Sequence, residues 1–523
     1  MVCGEVPMTE VLVVGAGPAG LTLAHELARR GVRVRLVDAK QAPAETSRAI
    51  ATHPRTLEIY EQMGVAGRMV GRGERVQAFT LFQNGRRLTR LEADYDEMPT
   101  RFPFTLCIDQ VLTEEVLRDA VRARGVEIEW GVSLEDFEQD DHRVRAALRH
   151  DSGASEAVAV DYLVGCDGGH STVRKKLGLE LIGESAETWL IADATIDVDV
   201  PRNSIYWVRN RGLTMMMAPM SGERRWRLLD TVNVEHGTDP ATVAERFTRE
   251  LSAGLGRRVR VDEPTWTSVF TFQQRMVPRM RVGRCFVAGD AAHVHSPASG
   301  QGMNTGIQEA YNLAWKLAMV LRGHAEDRLL DTYAAERVPV GAALLRSTKK
   351  ATFLVQLKSS VAGWLLPIVF TVVRTVPPVR KKLQREILGG ISGLNLTYAG
   401  SPLTVTGSDG DGGPRPGERI TKLPAHVTSG PEWQEVQADL AAARWLLLAG
   451  PASADLADEL SAKAGEWLTV RVLRPDGRLR RDLGIAAGGW VLVRPDGYVC
   501  AAGAELTAGR LSAALTSVGI AAP

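Results

Sequence analysis

Short apolar runs and helix-spaced apolar faces alternate along the start of this chain. Val11 to Val14 is an unbroken apolar run stopped at Gly15, the pattern of a strand buried on both faces. From Ala19 to Arg30, the residues Leu21, Ala24, Leu27 and Ala28 share one helical face, and Gly31 supplies the stop. Val32, Val34, Leu36 and Val37 form a second strand ending on Asp38, so residues 10–38 predict a β-turn-α-β unit. A helix over about 54–63 starts at Pro54 and ends at Gly64, and another over 111–124 ends at Gly125. Strands are predicted at 126–131 and at 158–165, the latter running into Cys166-Asp167-Gly168.

From about 187 to 275 strand-like runs replace the helical period: LIADATIDVDV, SIYWVRN, LTMMMAP, RWRLLDTVNV and WTSVFTFQQ. They predict an inserted, mostly antiparallel sheet. A strand from Arg284 to Ala288 then meets a Gly289-Asp290 turn and a Pro/Ser/Gly-rich loop, and helical spacing resumes at 302–322 and continues to about 390. Residues 401–417 read as a linker rich in Gly, Pro, Ser and Asp. Beyond it, short strands and alanine-rich helices predict a small α/β domain.

A length of 523 residues implies several cores, roughly two to four domains. The net charge of +1 gives no electrostatic basis for binding nucleic acid or an acidic membrane surface. Five widely spaced cysteines without a CxxC argue against a disulfide framework or a zinc site, and fit a reducing cytoplasm. The first ten residues have neither a basic nor an apolar targeting segment. The apolar stretch 361–378 is interrupted by Pro367, Arg374 and Pro377, and is read as a buried or dimer-interface helix pair rather than a membrane span.

Candidate chemistry begins at Gly15-Ala16-Gly17-Pro18-Ala19-Gly20, a GxGxxG between a strand and a helix. Gly15 permits the tight turn, Gly17 lets backbone approach a pyrophosphate, and Gly20 lets helix pack on strand. The helix N-terminus at Pro18 and Ala19 stabilises phosphate charge. Asp38 is placed to accept ribose hydroxyls, and an acid there disfavours a 2′-phosphate. His293-x-His295 has metal-like spacing but no third ligand nearby, so no metal is assigned.

Four blocks, VGAGPAGLTLA (14–24), SRAIATHPRTLEIYEQMG (47–64), CDGGHSTVRKKLG (166–178) and GDAAHVHSPASGQGMNTGIQEAYNLAWKL (289–317), resemble the class A FAD-dependent aromatic hydroxylases of the p-hydroxybenzoate hydroxylase fold. The tail is similar to the subgroup of phenol and aromatic polyketide hydroxylases with a C-terminal thioredoxin-like domain. The resemblance implies an α/β chain with a Rossmann-type FAD-binding domain at 8–186 and 276–400. It implies a substrate-binding sheet domain at 187–275, a linker at 401–417, and a thioredoxin-like domain without CxxC at 418–523. Cys500 stands alone there, so a redox role is not expected.

The same resemblance assigns Asp290 to the ribityl hydroxyls of FAD and Asp167 to the pyrophosphate region. Arg174 is then a structural partner of the Asp167 loop. Arg48 would lie over the flavin, acting in flavin positioning or substrate anion binding, and Gln110 and the backbone of Leu134 would hold other parts of FAD. The loop from Pro297 through Gly300, Gly302, Met303 and Asn304 would set fixed dipoles beside the isoalloxazine. Of the large apolar residues in the middle sheet, Trp207, Met215, Met217, Trp226 and Phe272 are the expected pocket lining, although about half of such a set ordinarily fills a sheet core.

The implied activity is NADPH- or NADH-consuming hydroxylation of a phenolic or polycyclic aromatic small molecule with O2, through a C4a-hydroperoxyflavin, by a monomer or homodimer. Baeyer–Villiger insertion into a polycyclic ketone, a flavin halogenase (disfavoured by the missing WxWxIP-type block) and a non-catalytic FAD-binding protein are the alternatives. No acid lies in 46–57, so a general base is not assigned.

Overall fold

The chain opens with β1 (Val11–Val14), α1 (Pro18–Arg29) and β2 (Val34–Asp38). The computed structural model describes residues 9–46, 49–92, 98–231, 239–294, 300–356, 390, 392–405 and 413–521, side chains at 185–187, 270, 272 and 347–356 excepted. β1 and β2 pair in parallel from Val11↔Val34 to Val14↔Val37, and all four residues of β1 are buried, which explains its unbroken apolar run.

There follow β3 (Ala51–Thr52), α2 (Pro54–Gln62), α3 (Ala66–Val70), β4 (Glu74–Val76), β5 (Ala78–Gln83), β6 (Arg86–Glu92), β7 (Thr105–Cys107) and α4 (Gln110–Arg122). Then come β8 (Ile128–Trp130), β9 (Val132–Gln139), β10 (Val144–His150), β11 (Ser155–Val160), β12 (Tyr162–Gly165) and α5 (Thr172–Lys176). Where the sequence predicts one strand over 158–165, the chain makes two. The N–H groups of Asp161 and Tyr162 both donate to Glu10 O, at 2.9 and 3.1 Å. This step carries the chain from the antiparallel ribbon β11-β10-β9 into the parallel sheet.

The middle segment forms β13 (Ile182–Asp197), β14 (Ser204–Asn210), β15 (Leu213–Pro219), β16 (Arg225–Asp230), α6 (Pro240–Leu255), β17 (Arg260–Val261) and β18 (Trp266–Met276). The strands β18-β13-β16-β15-β14 are antiparallel neighbours, and β5 adds to β14 in parallel, followed by β6. The sheet therefore extends beyond 187–275. A reading of that segment as sheet alone misses α6. Asp239 caps it by accepting from Thr242 N–H at 3.0 Å, and its stripe Val243, Phe247, Leu251, Leu255 packs on Tyr206, Met215, Met217, Trp226 and Leu228.

The chain then returns through β19 (Arg281–Val282), β20 (Cys285–Val287), β21 (His293–Val294), α7 (Gly302–Leu321) and α8 (Asp331–Gln356). The first sheet runs β19-β20-β12-β1-β2-β8, parallel from β20 to β8. The expected buried or dimer-interface helix pair at 361–378 lies outside the described residues. No helix among the described residues is long and apolar enough to cross a membrane.

The last strands, β22 (Trp445–Ala449), β23 (Leu468–Val472), β24 (Trp490–Val493) and β25 (Val499–Gly503), form the sheet β23-β22-β24-β25. Alternation divides β22. Leu446 and Leu448 pack with Trp433 and Val436, whereas Trp445 and Leu447 face Trp315 of α7. Trp315 and Trp445 meet edge to face at 5.7 Å. Cys500 is buried here, and burial pushes its thiol up to about 12.

Beside this aromatic contact lies a buried ionic network. Lys316 Nζ donates to Glu336 Oε2 at 2.8 Å and to Asn312 Oδ1 at 2.9 Å. Arg494 donates to Glu336 Oε1 at 2.6 Å and to Asp496 Oδ2 at 2.6 Å, and Trp315 Nε1 donates to Asp496 Oδ2 at 3.2 Å. Burial lowers the Lys316 ammonium to about 8 although Glu336 opposes the shift. Burial would raise Glu336, but Arg494 and Lys316 outweigh it and hold the carboxyl well below the usual range.

Glu336→Gln leaves two buried cations without their shared anion, which costs about 3–5 kcal/mol. A lower thermal midpoint, followed by circular dichroism, is expected. Because the folded pKa of Glu336 is depressed, its contribution is present above the unfolded carboxylate value and is lost as pH falls below it. Acidification from pH 6 toward 3 should therefore narrow the gap between wild type and E336Q.

Candidate active site

The glycine loop between β1 and α1 is clamped by backbone. Gly15 has φ +105, and a Cβ there would lie 2.3 Å from Cys166 O. A Cβ on Gly20 would lie 1.8 Å from Gly15 O. Gly17 differs: its backbone is extended (φ −77, ψ −178), and a Cβ would meet nothing within 4 Å. It caps α1 with no side-chain hydrogen bond, so the first-turn N–H groups open toward free space. Pro18 and Ala19 form that first turn. The loop fits a dinucleotide pyrophosphate, with backbone donors exposed and no side chain in the way.

Asp38 braces this loop. Its Oδ2 accepts from Ala16 N–H at 2.7 Å and its Oδ1 from Lys40 N–H at 2.9 Å. A carboxylate has about four acceptor positions, so capacity remains for a ribose hydroxyl. Asp167 also works on its own backbone: it accepts from Ser171 Oγ at 2.5 Å and from the first-turn N–H groups of Thr172 and Val173 at 2.7 and 3.2 Å, beside the α5 N-cap Ser171. Arg174 donates to Gly169 O at 2.9 Å and Ala291 O at 3.3 Å, joining this loop to the turn Gly289–Ala291.

That turn meets α1 and α7 through small residues. A Cβ on Gly306 would lie 3.0 Å from Gly289 Cα and 3.4 Å from Ala19 Cβ. Behind the turn, buried Glu309 accepts from Gly289 N–H at 2.9 Å and pairs with His293 Nε2 at 2.7 Å. Burial pulls the His293 imidazolium down, but Glu309 outweighs it and raises the value. Asp290 itself is exposed on the outer side. Glu309 was not singled out from the sequence. Its signal is an acid inside an otherwise buried helical face.

Asn304 ties the start of α7 to the strap at β3. Its Oδ1 accepts from His53 N–H at 2.8 Å, and its Nδ2 donates to Ala51 O and Gly300 O, each at 2.8 Å. A Cβ on Gly300 would stand 2.7 Å from Ala51 Cβ. Gly302 opens α7, and Met303 is half-buried against the core. Gln110 holds the same strap, accepting from Ala49 N–H at 3.2 Å and donating to Glu114 at 2.8 Å. The Leu134 side chain is in the core, leaving its backbone as the part that could reach a ligand. Arg48 and Pro297 lie outside the described residues.

The middle sheet sorts its large residues by strand alternation. Met215, Met217 and Trp226, expected on the pocket wall, lie on the opposite face, buried under α6 with Tyr206. Their neighbours in sequence point to the other face of the sheet. Trp207 and Met216 are half-buried beside Ile50, Phe79, Cys107, Ile205 and Ala218. Trp189, Ile191 and Leu229 continue that surface toward Trp266. Burial pushes the Cys107 thiol up to about 12. Phe272 is in β18, with its side chain undescribed. On the same face Arg227 makes two 2.7 Å bonds to Asp193 and lies 5.4 Å from the centre of the Trp266 ring. Among the described residues no His, Cys, Asp and Glu group could hold a metal ion.

A family model described as FAD binding domain matches residues 8–348, and one described as aromatic-ring hydroxylase, C-terminal, matches 413–520. The chain is 49% identical over 521 residues to a 6-methylpretetramide 4-monooxygenase of Streptomyces rimosus, covering 97% of this chain and 93% of that protein. A solved anhydrotetracycline hydroxylase from Streptomyces rimosus superposes with a TM-score of 0.76 at 28% identity, over 98% of this chain and 99% of that one. A solved aromatic hydroxylase from angucycline biosynthesis gives 0.75 at 29% identity, over 99% and 100%.

The two glycines predict opposite failures. Gly17→Ala should fold normally, since backbone and space allow it, yet bind FAD at least about tenfold more weakly, because the methyl enters the space a pyrophosphate would take. Gly20→Ala collides with Gly15 O and should fail to accumulate as folded protein. Fluorescence titration of apoprotein with FAD and gel filtration separate the two outcomes.

Proposed function

The chain belongs to the FAD-dependent aromatic-ring hydroxylases, and from that premise we propose that its substrate is a tetracyclic aromatic polyketide phenol. The observation carrying this reading is the likeness to 6-methylpretetramide 4-monooxygenase, which spans the middle sheet as well as the dinucleotide-binding region. The half-buried side chains Trp207, Met216 and Trp266, backed by the fully buried Trp189, support it. They offer broad, flat apolar surface suited to a fused ring system, and methionine adapts to its outline.

FAD, reduced by NADH or NADPH, supplies the activated oxygen when bound. The protein's residues bind, orient and exclude water. The Gly15–Gly20 loop would hold the pyrophosphate, and Asp38 a ribose hydroxyl. Asp290 would hold the ribityl chain on a turn fixed by Glu309. Asn304 keeps the start of α7 against the 51–53 strap, so that its backbone dipoles need no reorganisation during reaction. Arg48 and Pro297 would complete this cofactor face, and the aromatic wall would set the ring's approach.

Incubating the FAD-loaded protein with 6-methylpretetramide, O2 and NADH or NADPH should give a product heavier by one oxygen, with its carbon skeleton intact by NMR. A ring-expanded ester would overturn hydroxylation of this substrate in favour of Baeyer–Villiger insertion, and no product would overturn the substrate. Trp207→Ala should raise KM for the tetracycle about tenfold or more with little loss of stability. Met217→Ala should instead lower stability by about 2–5 kcal/mol, because it empties a buried position under α6.

A further inference from the structure

Asp109 stands at the junction of the FAD-binding region and the middle sheet. It is the N-cap residue of α4, a position where an aspartate ordinarily accepts from the next turn's N–H groups. This one makes no capping bond. Its backbone is extended (φ −58, ψ 135), so its side chain shares the side of Cys107 two residues earlier, and Cys107 belongs to the aromatic wall with Trp207 and Met216.

The residue is 8% exposed and its side chain 12%. Its Oδ2 takes one long bond, 3.4 Å from Arg225 Nη1, while that nitrogen also donates to Ser221 O at 3.3 Å. Oδ1 is buried and has no hydrogen-bond partner. The neighbouring acids are already engaged: Asp193 is held by both arms of Arg227, and Glu74 accepts from Arg202 at 3.1 Å. Among the described residues on this face, Asp109 is therefore a carboxylate with an acceptor left over. A buried acceptor of this kind calls for a donor, and a ligand hydroxyl would supply one.

We propose that Asp109 Oδ1 accepts the hydrogen bond of a phenolic hydroxyl on the bound substrate and thereby determines which ring position is presented for oxygenation. The assignment rests on the tetracyclic phenol reading above. Arg225 and Arg227 already supply the positive charge facing this carboxylate, so a neutral donor suffices, and the phenolic O–H of the proposed substrate is one. Burial outweighs both arginines, with Asp193 reinforcing it, and raises the Asp109 carboxyl. That shift makes the carboxylate a stronger acceptor. Drawing the phenol's proton toward Oδ1 raises electron density at the ortho and para carbons, which electrophilic oxygen transfer requires. No bond is broken in this contact. A site built to bond a substrate hydroxyl rejects the analogue that lacks it.

The test uses FAD-loaded wild type, Asp109→Asn and Asp109→Ala. Asparagine keeps a good helix-capping residue and guards against misfolding. Each protein is titrated with 6-methylpretetramide and with its mono-O-methyl ethers, following the change in flavin absorbance. Wild type should reject one ether by about 100-fold, as loss of a charge-assisted bond implies. D109A should bind the phenol about 10- to 100-fold more weakly and no longer distinguish that ether, with D109N between the two. FAD affinity of the apoproteins should be unchanged. Variants that keep the wild-type discrimination overturn the assignment while leaving the substrate reading in place. Weakened FAD binding with unchanged discrimination assigns Oδ1 to the cofactor and also overturns it. A wild type that does not bind the phenol removes the substrate reading, and this assignment with it.

Discussion

Three backbones meet almost without side chains where α1, the Gly289–Ala291 turn and α7 cross, and the rest of the site depends on that contact. Ala19, Gly289 and Gly306 lie so close that an added Cβ at either glycine would fall 3.0–3.2 Å from a neighbouring carbon. One step away, Gly15 and Gly20 pack against each other and against Cys166 with even less room. Protein interiors are close-packed, and such contacts transmit position rather than absorb it. The consequence is that a turn coded more than 250 residues after the first glycine loop sits beside it as part of one rigid surface.

Buried polar groups hold the remaining pieces in register with that crossing. Glu309 fixes the turn, Asn304 fixes the start of α7 on the 51–53 strap, and Arg174 joins the Asp167 loop to Ala291. Further along the same helix, Trp315 and Lys316 are tied to Asp496, Glu336 and Arg494. The C-terminal domain is thus anchored on the helix whose first turn lies at the candidate active site. Breaking such a network leaves uncompensated charge, a larger effect than a surface ion pair gives, and this makes the docking specific.

Much of the site was legible in local pattern. The β1-α1-β2 unit follows from a short apolar run, a glycine loop and a helical stripe, all of which act over a few residues. The limits of local pattern appear at α6 and at the 158–165 stretch. An amphipathic helix packed on a sheet has modest apolar content, so α6 hid among strand-like runs. The break at Asp161 depends on two hydrogen bonds to Glu10, which no window around Asp161 contains.

The methionines at 215–217 mark the boundary most clearly. Alternation along a strand determines that Met215 and Met217 share one face and Met216 takes the other. It cannot determine which face meets α6 and which meets Ile50 and Cys107, because that depends on partners far away in the chain. The same holds for Asp109: the sequence places it before a helix, where an aspartate caps, and only the opposing sheet with Arg225 turns it into the interface. The sequence by itself determined the family, the cofactor and the glycine geometry, since these rest on short-range backbone requirements. The tertiary structure alone decided which face of the middle sheet each side chain takes, because facing is a property of two packed elements and not of either one.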